Sequence, residues 1–434
     1  MTSVSTPAVA SQRGRGATTM SWAGWIMSRL VVLALLVADP ALGNDTKYWS
    51  GVLGLGRGVD VTLVEYPVPA YAVLWVPVQL TRLVGGTPAV TFVLLFLALD
   101  AAFHALLVRH RPSGRLALAG ELTWIASAPA LGAVSAVHFD IVTGVLVGAA
   151  LVLGARSSGA GAALATVAAG IKYWPAIVLP AIVLGARSRG RAAWTVVLVG
   201  AALAGGSLAI ADAHRLFTPL TWQGERGLQL ESVAATPAVV GHLVDPGRFR
   251  VAFTDHQSFE MFGPGTAVAL TAATVGSGLL VALLGVLWWR GRHFQGAEVL
   301  VWTTLTATTG FIVVDKVFSP QYLLWLTPIA AAGLLRVRPS ERARLAAWSV
   351  GLVAACVATQ LGPVLGLWWI VDSRGGVAVA TVLLVARNAL MVGLFAYAGV
   401  RALHLAKQDE RYDVAGAPGP PDDSSDRATA AIIS

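Results

Sequence analysis

Apolar runs of about twenty residues or more recur along this chain, at 88 to 108, 265 to 289 and 377 to 403 among others. A helix needs about 20 apolar residues to cross a bilayer, and there its backbone must satisfy its own hydrogen bonds. The runs are unbroken and rich in Ala, Val, Leu and Gly, where a membrane barrel would show short strands of alternating polarity. With 56% hydrophobic and 12% charged residues in 434, the chain has too little polar surface to cover a soluble fold. The reading is an all-α integral membrane protein.

Short loops rich in arginine stay on the cytoplasmic side. Arg109-His110-Arg111 with Arg115, Arg156, Arg187 to Arg191, Arg290 with Arg292, and Arg336 to Arg344 mark that side. Between them lie apolar segments at 116 to 136, 141 to 155, 158 to 171, 174 to 186, 192 to 211, 265 to 289, 296 to 313, 319 to 335, 345 to 369 and 377 to 403. A first helix at about 22 to 41 and a crossing at 88 to 108 complete a polytopic bundle of about twelve transmembrane helices, both ends inside. Residues 66 to 84, with Pro67, Pro69 and Pro77, are read as a juxtamembrane or re-entrant piece.

The expected organisation is a cytoplasmic N-terminal segment 1–20, a membrane domain 21–405 and a disordered cytoplasmic tail 406–434. The tail sets Asp409, Glu410, Asp413, Asp422, Asp423 and Asp426 among Pro, Gly and Ser, a composition without a core. An uncleaved first helix is preferred to a signal peptide ending near Ala41-Leu42-Gly43. The net charge of +8 is scattered between apolar runs, which fits membrane topology and argues against a nucleic-acid partner. Cys356, the single cysteine, excludes a disulfide framework and a thiolate metal cage.

This topology sorts chemistry to the extracytoplasmic side. Asp45, Glu65, His138, Asp140, Lys172, the 212–262 segment, Asp315, Lys316 and Gln321 all fall there, as do three of the four lysines. Asp45 and Glu65 in the first outer loop are candidate general bases, with loop solvation or helix capping as the competing explanation. His138-Phe139-Asp140 sits between two spans, where Asp140 could simply cap the next helix. Lys172-Tyr173-Trp174-Pro175 puts an ammonium at the interface, suited to a phosphate or to snorkelling. Asp315-Lys316 reads either as an interfacial pair or as part of a site. In the longest outer segment, Trp222 beside Gln223, Glu225 and Arg226 suits a carbohydrate, whose hydroxyls bond polar groups and whose apolar face stacks on rings; it equally suits an ordinary interfacial loop.

Weaker signals are set aside. Gly54, Gly56 and Gly58 lack the strand and helix of a dinucleotide loop. His214, His242 and His256 have no metal-ligand spacing. Asp100 with His104, one turn apart, and Arg387 are read as structural groups paired within the bundle.

With those residues in view, the chain resembles the GT-C superfamily of membrane glycosyltransferases, most closely the family 87 type of actinobacterial polyprenyl-phosphate-mannose-dependent α-mannosyltransferases. The resemblance runs over most of residues 20 to 405. It is carried by Asp45 with Tyr48, Glu65-Tyr66-Pro67, Lys172-Tyr173-Trp174-Pro175, Arg226-Gly227-Leu228-Gln229 with Glu231-Ser232, and Ser319-Pro320-Gln321-Tyr322 before Leu323-Leu324-Trp325. Pro67-Val68-Pro69 and His138-Phe139-Asp140 depart from that pattern.

The resemblance implies transfer of a hexose, mannose by association, from a polyprenyl phosphate carrier to a glycolipid, lipoglycan or other acceptor hydroxyl on the outer side, with inversion. In that scheme Asp45 or Glu65 takes the proton, and Lys172, Lys316, His138 and Arg226 meet the donor phosphate. Tyr48, Tyr66, Asp140, Trp222, Gln229, Glu231, Gln321 and Tyr322 contact substrate. The partners are the lipid-linked donor, the acceptor and membrane lipids, with no cofactor and no metal. The rival reading is a transporter or flippase for a lipid-linked sugar, which predicts internal repeats that the chain does not display.

Overall fold

A computed structural model describes residues 7–39, 43–293 and 296–415. α1 (Pro7–Ala38) and the short α2 (Asn44–Gly54) precede α3 (Val68–Val84) and α4 (Pro88–Arg109). α5 (Ala119–Leu131), the one-turn α6 (Val134–Val137), α7 (Asp140–Gly154) and α8 (Ser158–Ile171) come next. A 3₁₀ segment, Trp174–Val178, leads into α9 (Leu179–Leu184) and α10 (Arg189–Leu208). Then follow α11 (Thr218–Glu225), α12 (Thr236–Val244) and a hairpin of β1 (Arg250–Thr254) and β2 (Ser258–Phe262). α13 (Thr266–Arg290), α14 (Ala297–Val314), α15 (Leu323–Arg336), α16 (Pro339–Thr359), α17 (Leu367–Val371) and α18 (Val377–Ala415) complete the chain.

Among the described residues seven helical stretches are long and apolar enough to cross a membrane: Gly16–Ala38, Pro88–Arg109, Arg189–Leu208, Thr266–Arg290, Ala297–Val314, Pro339–Val364 and Val377–Lys407. Outward faces of α10 and α13 expose Trp194, Leu198, Val275, Leu279 and Val281. Apolar surface of that extent suits lipid as the solvent.

The segments expected as spans at 141 to 155 and 158 to 171 form helices of matching length, 15 residues in α7 and 14 in α8, while that at 174 to 186 divides into a 3₁₀ turn and the 6-residue α9. α7 and α15 are buried along nearly their whole lengths, so neighbouring helices rather than lipid cover them. Gly144 and Gly148 let them touch. A Cβ on Gly148 would lie 2.8 Å from the Pro328 carbonyl oxygen, and one on Gly144 would collide with the Leu324 carbonyl. Small residues four apart are how apolar helices approach this closely.

The described residues are predominantly helical, as expected, and add one small hairpin: β1 pairs antiparallel with β2 in register Arg250 with Phe262, and Leu228–Leu230 adds an edge through Leu230 N to Phe259 O at 2.9 Å and Met261 N to Leu228 O at 2.8 Å. Alternating apolar residues in a segment without a helical period form this hairpin. Within the piece read as juxtamembrane or re-entrant, residues 68 to 84 form the helix α3, with Pro69 in its first turn, where no amide donor is needed, and Pro77 in its interior. The helix that precedes the acidic tail continues to Ala415, past the boundary set at 406. Residues 416–434, the remainder of that tail, lie outside the described residues, as do 1–6 and the Ala41-Leu42 end of the signal-peptide alternative.

Asp100 does not pair with His104. Its carboxylate meets Arg29 at 2.6 Å and accepts from Trp25 at 3.0 Å and Trp124 at 2.7 Å. His104 lies 3.2 Å from the Ser21 hydroxyl. Both remain structural groups, joining α1, α4 and α5 where a lone charge in apolar surroundings would be costly.

Candidate functional site

The polar residues of the expected outer side converge on one cavity of about 1140 Å³. Of the site residues named from sequence, Asp45, Tyr48, Glu65, Tyr66, Lys172, Trp222, Arg226, Lys316, Gln321 and Tyr322 line it. His138, Asp140, Gln229 and Glu231 lie outside its lining.

Asp45 stands in the first turn of α2, with its side chain about half exposed at 46%. One oxygen, Oδ2, is 3.1 Å from His138 Nδ1. His138 therefore faces the carboxylate and not a donor phosphate. On the next turn of α2, the Tyr48 hydroxyl donates to Glu65 Oε1 at 2.9 Å. Burial, and then the Glu65 charge, raise the Tyr48 hydroxyl above its ordinary value, so it stays a donor. Burial also raises Glu65, opposed by the Tyr48 bond and the charges of Arg215 and Arg226.

The loop that carries Glu65 is held by a residue the sequence reading passed over. Buried Arg215 donates through Nε to the Val59 carbonyl at 3.1 Å and through Nη2 to those of Thr62 and Leu63 at 3.3 and 2.8 Å. Leu63 has φ of 52°, a left-handed conformation costly for a leucine, and is retained by these bonds and its burial. The Asp212 amide donates to Asp60 Oδ1 at 2.8 Å, adding a second tie between the outer segments. No motif marks Arg215, because backbone carbonyls about 150 positions away leave no side-chain signature in sequence.

Lys172, at the C-terminal end of α8, is 2.6 Å from Asp140 Oδ1. Its ammonium also lies over the rings of Phe139, Trp325 and Tyr322 at 5.2, 5.2 and 5.4 Å. Asp140 accepts from Trp325 Nε1 at 2.6 Å. It is thus the buried partner of Lys172, and its expected contact with substrate is replaced by this pairing. Trp174, Trp325 and Tyr322 stack in sequence, with centroids 4.8 and 4.0 Å apart, and give the cavity an aromatic wall.

The lining also carries freer cations. Arg226 faces the cavity with its Nε unpartnered. Lys316 donates to the Gly224 carbonyl at 2.8 Å, and burial lowers its ammonium from the ordinary value. Asp315 opens on the cavity yet is surrounded by protein on most sides, and burial pushes its carboxyl from 3.8 up to about 6, against the Val317 amide and the charges of Arg226 and Lys316. Trp222 packs edge-on to His256, with centroids 5.3 Å apart. Among the described residues no three His, Cys, Asp or Glu side chains converge as a metal set.

Gln229 and Glu231 brace this lining from behind. Gln229 accepts from the Phe318 amide at 2.6 Å and donates to the Ser319 hydroxyl at 3.2 Å, which fastens the outer segment to the break after α14. Glu231 is 3.5 Å from Arg387 Nη1, and Arg387 also donates to the Glu231 carbonyl. Burial raises the Glu231 carboxyl to about 7, with Arg387 opposing. Arg387 thereby has the partner its place in a span demanded, and Glu231 is withdrawn from substrate.

Asp315 carries a pH signature. Between about pH 4 and 6 the folded protein keeps a proton that the unfolded chain releases, so its contribution to stability falls as pH rises through that window. Thermal unfolding across that range is expected to show a shallower loss in Asp315→Asn than in the wild type. Glu231 slopes the same way in both proteins and cancels in the comparison; identical profiles would contradict the assignment.

No protein-family model, curated protein or solved structure matches the chain.

Proposed function

We propose that this protein is a membrane glycosyltransferase of the GT-C type, moving a hexose, mannose in the preferred reading, from a polyprenyl phosphate to the hydroxyl of a glycolipid or lipoglycan. The observation that carries this reading is a single cavity lined by Asp45, Glu65, Arg226 and Lys316 in a bundle of apolar helices. A carboxylate for a hydroxyl proton and cations for a departing phosphate are what such a transfer requires. The aromatic wall and Trp222 suit the apolar faces of sugar rings.

The proposed architecture counts twelve crossings, the seven long helices joined by α5, α7, α8, the Trp174–Leu184 segment and α15. It places the cavity outside and the termini in the cytoplasm. Contacts among the arginine-bearing loops support this: Arg342 donates to the Arg115 carbonyl at 3.2 Å, and Arg189 donates to that of Arg292. These loops gather at the end away from the cavity.

Asp45 is the base in this mechanism. It is half exposed on the cavity and His138 occupies only one of its oxygens, whereas Glu65 is tied to Tyr48. The acceptor oxygen gives its proton to Asp45 Oδ1 as it bonds to the sugar C1. The bond from C1 to the phosphate oxygen breaks, its electron pair leaving with the phosphate, and the anomeric configuration inverts. Arg226 and Lys316 stabilise the charge that develops there. His138 keeps Oδ1 turned toward the acceptor.

The test is transfer of radiolabelled mannose from polyprenyl phosphate mannose to membrane glycolipids by the purified protein. Labelled glycolipid product is expected. Movement of intact donor across a sealed vesicle without product would favour the transporter.

A further inference from the structure

Three arginine-bearing turns meet at the end of the bundle away from the cavity. α15 starts beside Tyr322 at the cavity and ends at Arg336; α14 runs oppositely, from Ala297 to Asp315 at the cavity. The Trp174–Leu184 segment also leaves the cavity, and the turn after it holds Arg187. With about 1.5 Å of rise per residue, Arg336 lies about 20 Å from the cavity.

Arg336 is in an unusual position there. Its Nε is buried and has no hydrogen-bond partner among the described residues. The charges acting on it are those of Arg187, which repels it, and Glu298, which attracts it. Glu298 is already committed: its Oε1 accepts from the Arg338 amide at 2.9 Å and from Arg338 Nε at 2.8 Å. The general excess of arginine at a cytoplasmic face accounts for exposed Arg187. It does not account for a half-buried guanidinium whose Nε is shielded from water and unpartnered beside a like charge. Such an arrangement calls for an anion.

We propose that Arg336 and Arg187 bind the phosphate of an anionic phospholipid in the adjoining leaflet. Guanidinium forks match phosphate oxygens in pairs, and basic pockets at the ends of membrane helices recognise anionic headgroups. The surroundings are those of an interface: Trp289 is exposed nearby in the last turn of α13, with the Arg292 guanidinium 3.9 Å above its ring. This site is independent of the cavity and of the reaction assigned to it.

The test uses full-length protein in detergent micelles, with binding followed by native mass spectrometry and by thermal unfolding. It is titrated with phosphatidylglycerol, phosphatidylcholine or inorganic phosphate. Phosphatidylglycerol is expected to bind and to raise the unfolding temperature. Arg187→Gln and Arg336→Gln should each weaken that binding about fivefold. Arg187 is exposed, so its variant reports on the site without endangering the fold. Unchanged phosphatidylglycerol binding in both variants, or equal binding of phosphatidylcholine, would overturn the proposal. An equal response to inorganic phosphate alone would overturn its lipid part.

Discussion

Asp45→Asn is expected to reduce sugar transfer by about 10² to 10⁴-fold, the range associated with loss of a positioned general base. The asparagine keeps the shape of the side chain and can still meet His138, so donor binding and unfolding temperature should stay close to wild type. Only the ability to take a proton is removed. Glu65→Gln provides the comparison, because Glu65 lines the same cavity but is held by the Tyr48 hydroxyl at 2.9 Å, a place suited to orienting the acceptor. A smaller loss is expected there, expressed in KM for the acceptor more than in kcat. Should Asp45→Asn transfer at the wild-type rate while Glu65→Gln is inactive, the base is Glu65. A folded Asp45→Asn that loses donor affinity instead of turnover would remove Asp45 from proton transfer.

The largest stability effect is expected at Asp140. Its carboxylate is nearly inaccessible, at 2% exposure, and its partner Lys172 is at 17%. Asp140→Ala removes the counter-charge and leaves an ammonium among the rings of Phe139, Tyr322 and Trp325. Breaking a buried pair in this way costs about 3–5 kcal/mol, and Trp325 Nε1 loses its acceptor as well. The double variant Asp140→Ala with Lys172→Met should recover most of that loss, since no isolated charge remains. Thermal unfolding of the two variants in the same detergent decides the matter. If Asp140→Ala unfolds with the wild type, the pair does not stabilise the fold; if the double variant is as unstable as the single, the cost comes from lost packing and not from the unpaired charge.

Much of the framework could be read from the chain because a membrane imposes simple rules. Length and hydropathy make α4, α13 and α18 visible. Asp45, Glu65, Lys172, Arg226 and Lys316 could be nominated because polar residues at the ends of apolar runs are few. Their partners could not. His138 was assigned to a phosphate and meets Asp45; Asp140 and Glu231 were assigned to substrate and instead neutralise Lys172 and Arg387. The hairpin at 250 to 262 was missed because its few alternating residues sit in a segment read only as a long loop.

The sequence by itself therefore determined a helical chain with segments apolar enough to cross a membrane and polar residues at their ends, since hydropathy is a property of each segment taken alone. Only the tertiary structure decided which charges are free to act. Whether a lysine faces a ligand or an aspartate depends on contacts spanning 32 positions for Lys172 with Asp140 and 156 for Arg387 with Glu231. In a low-dielectric interior each buried charge must find a counter-charge, and the packing of helices such as α7 against α15 selects it.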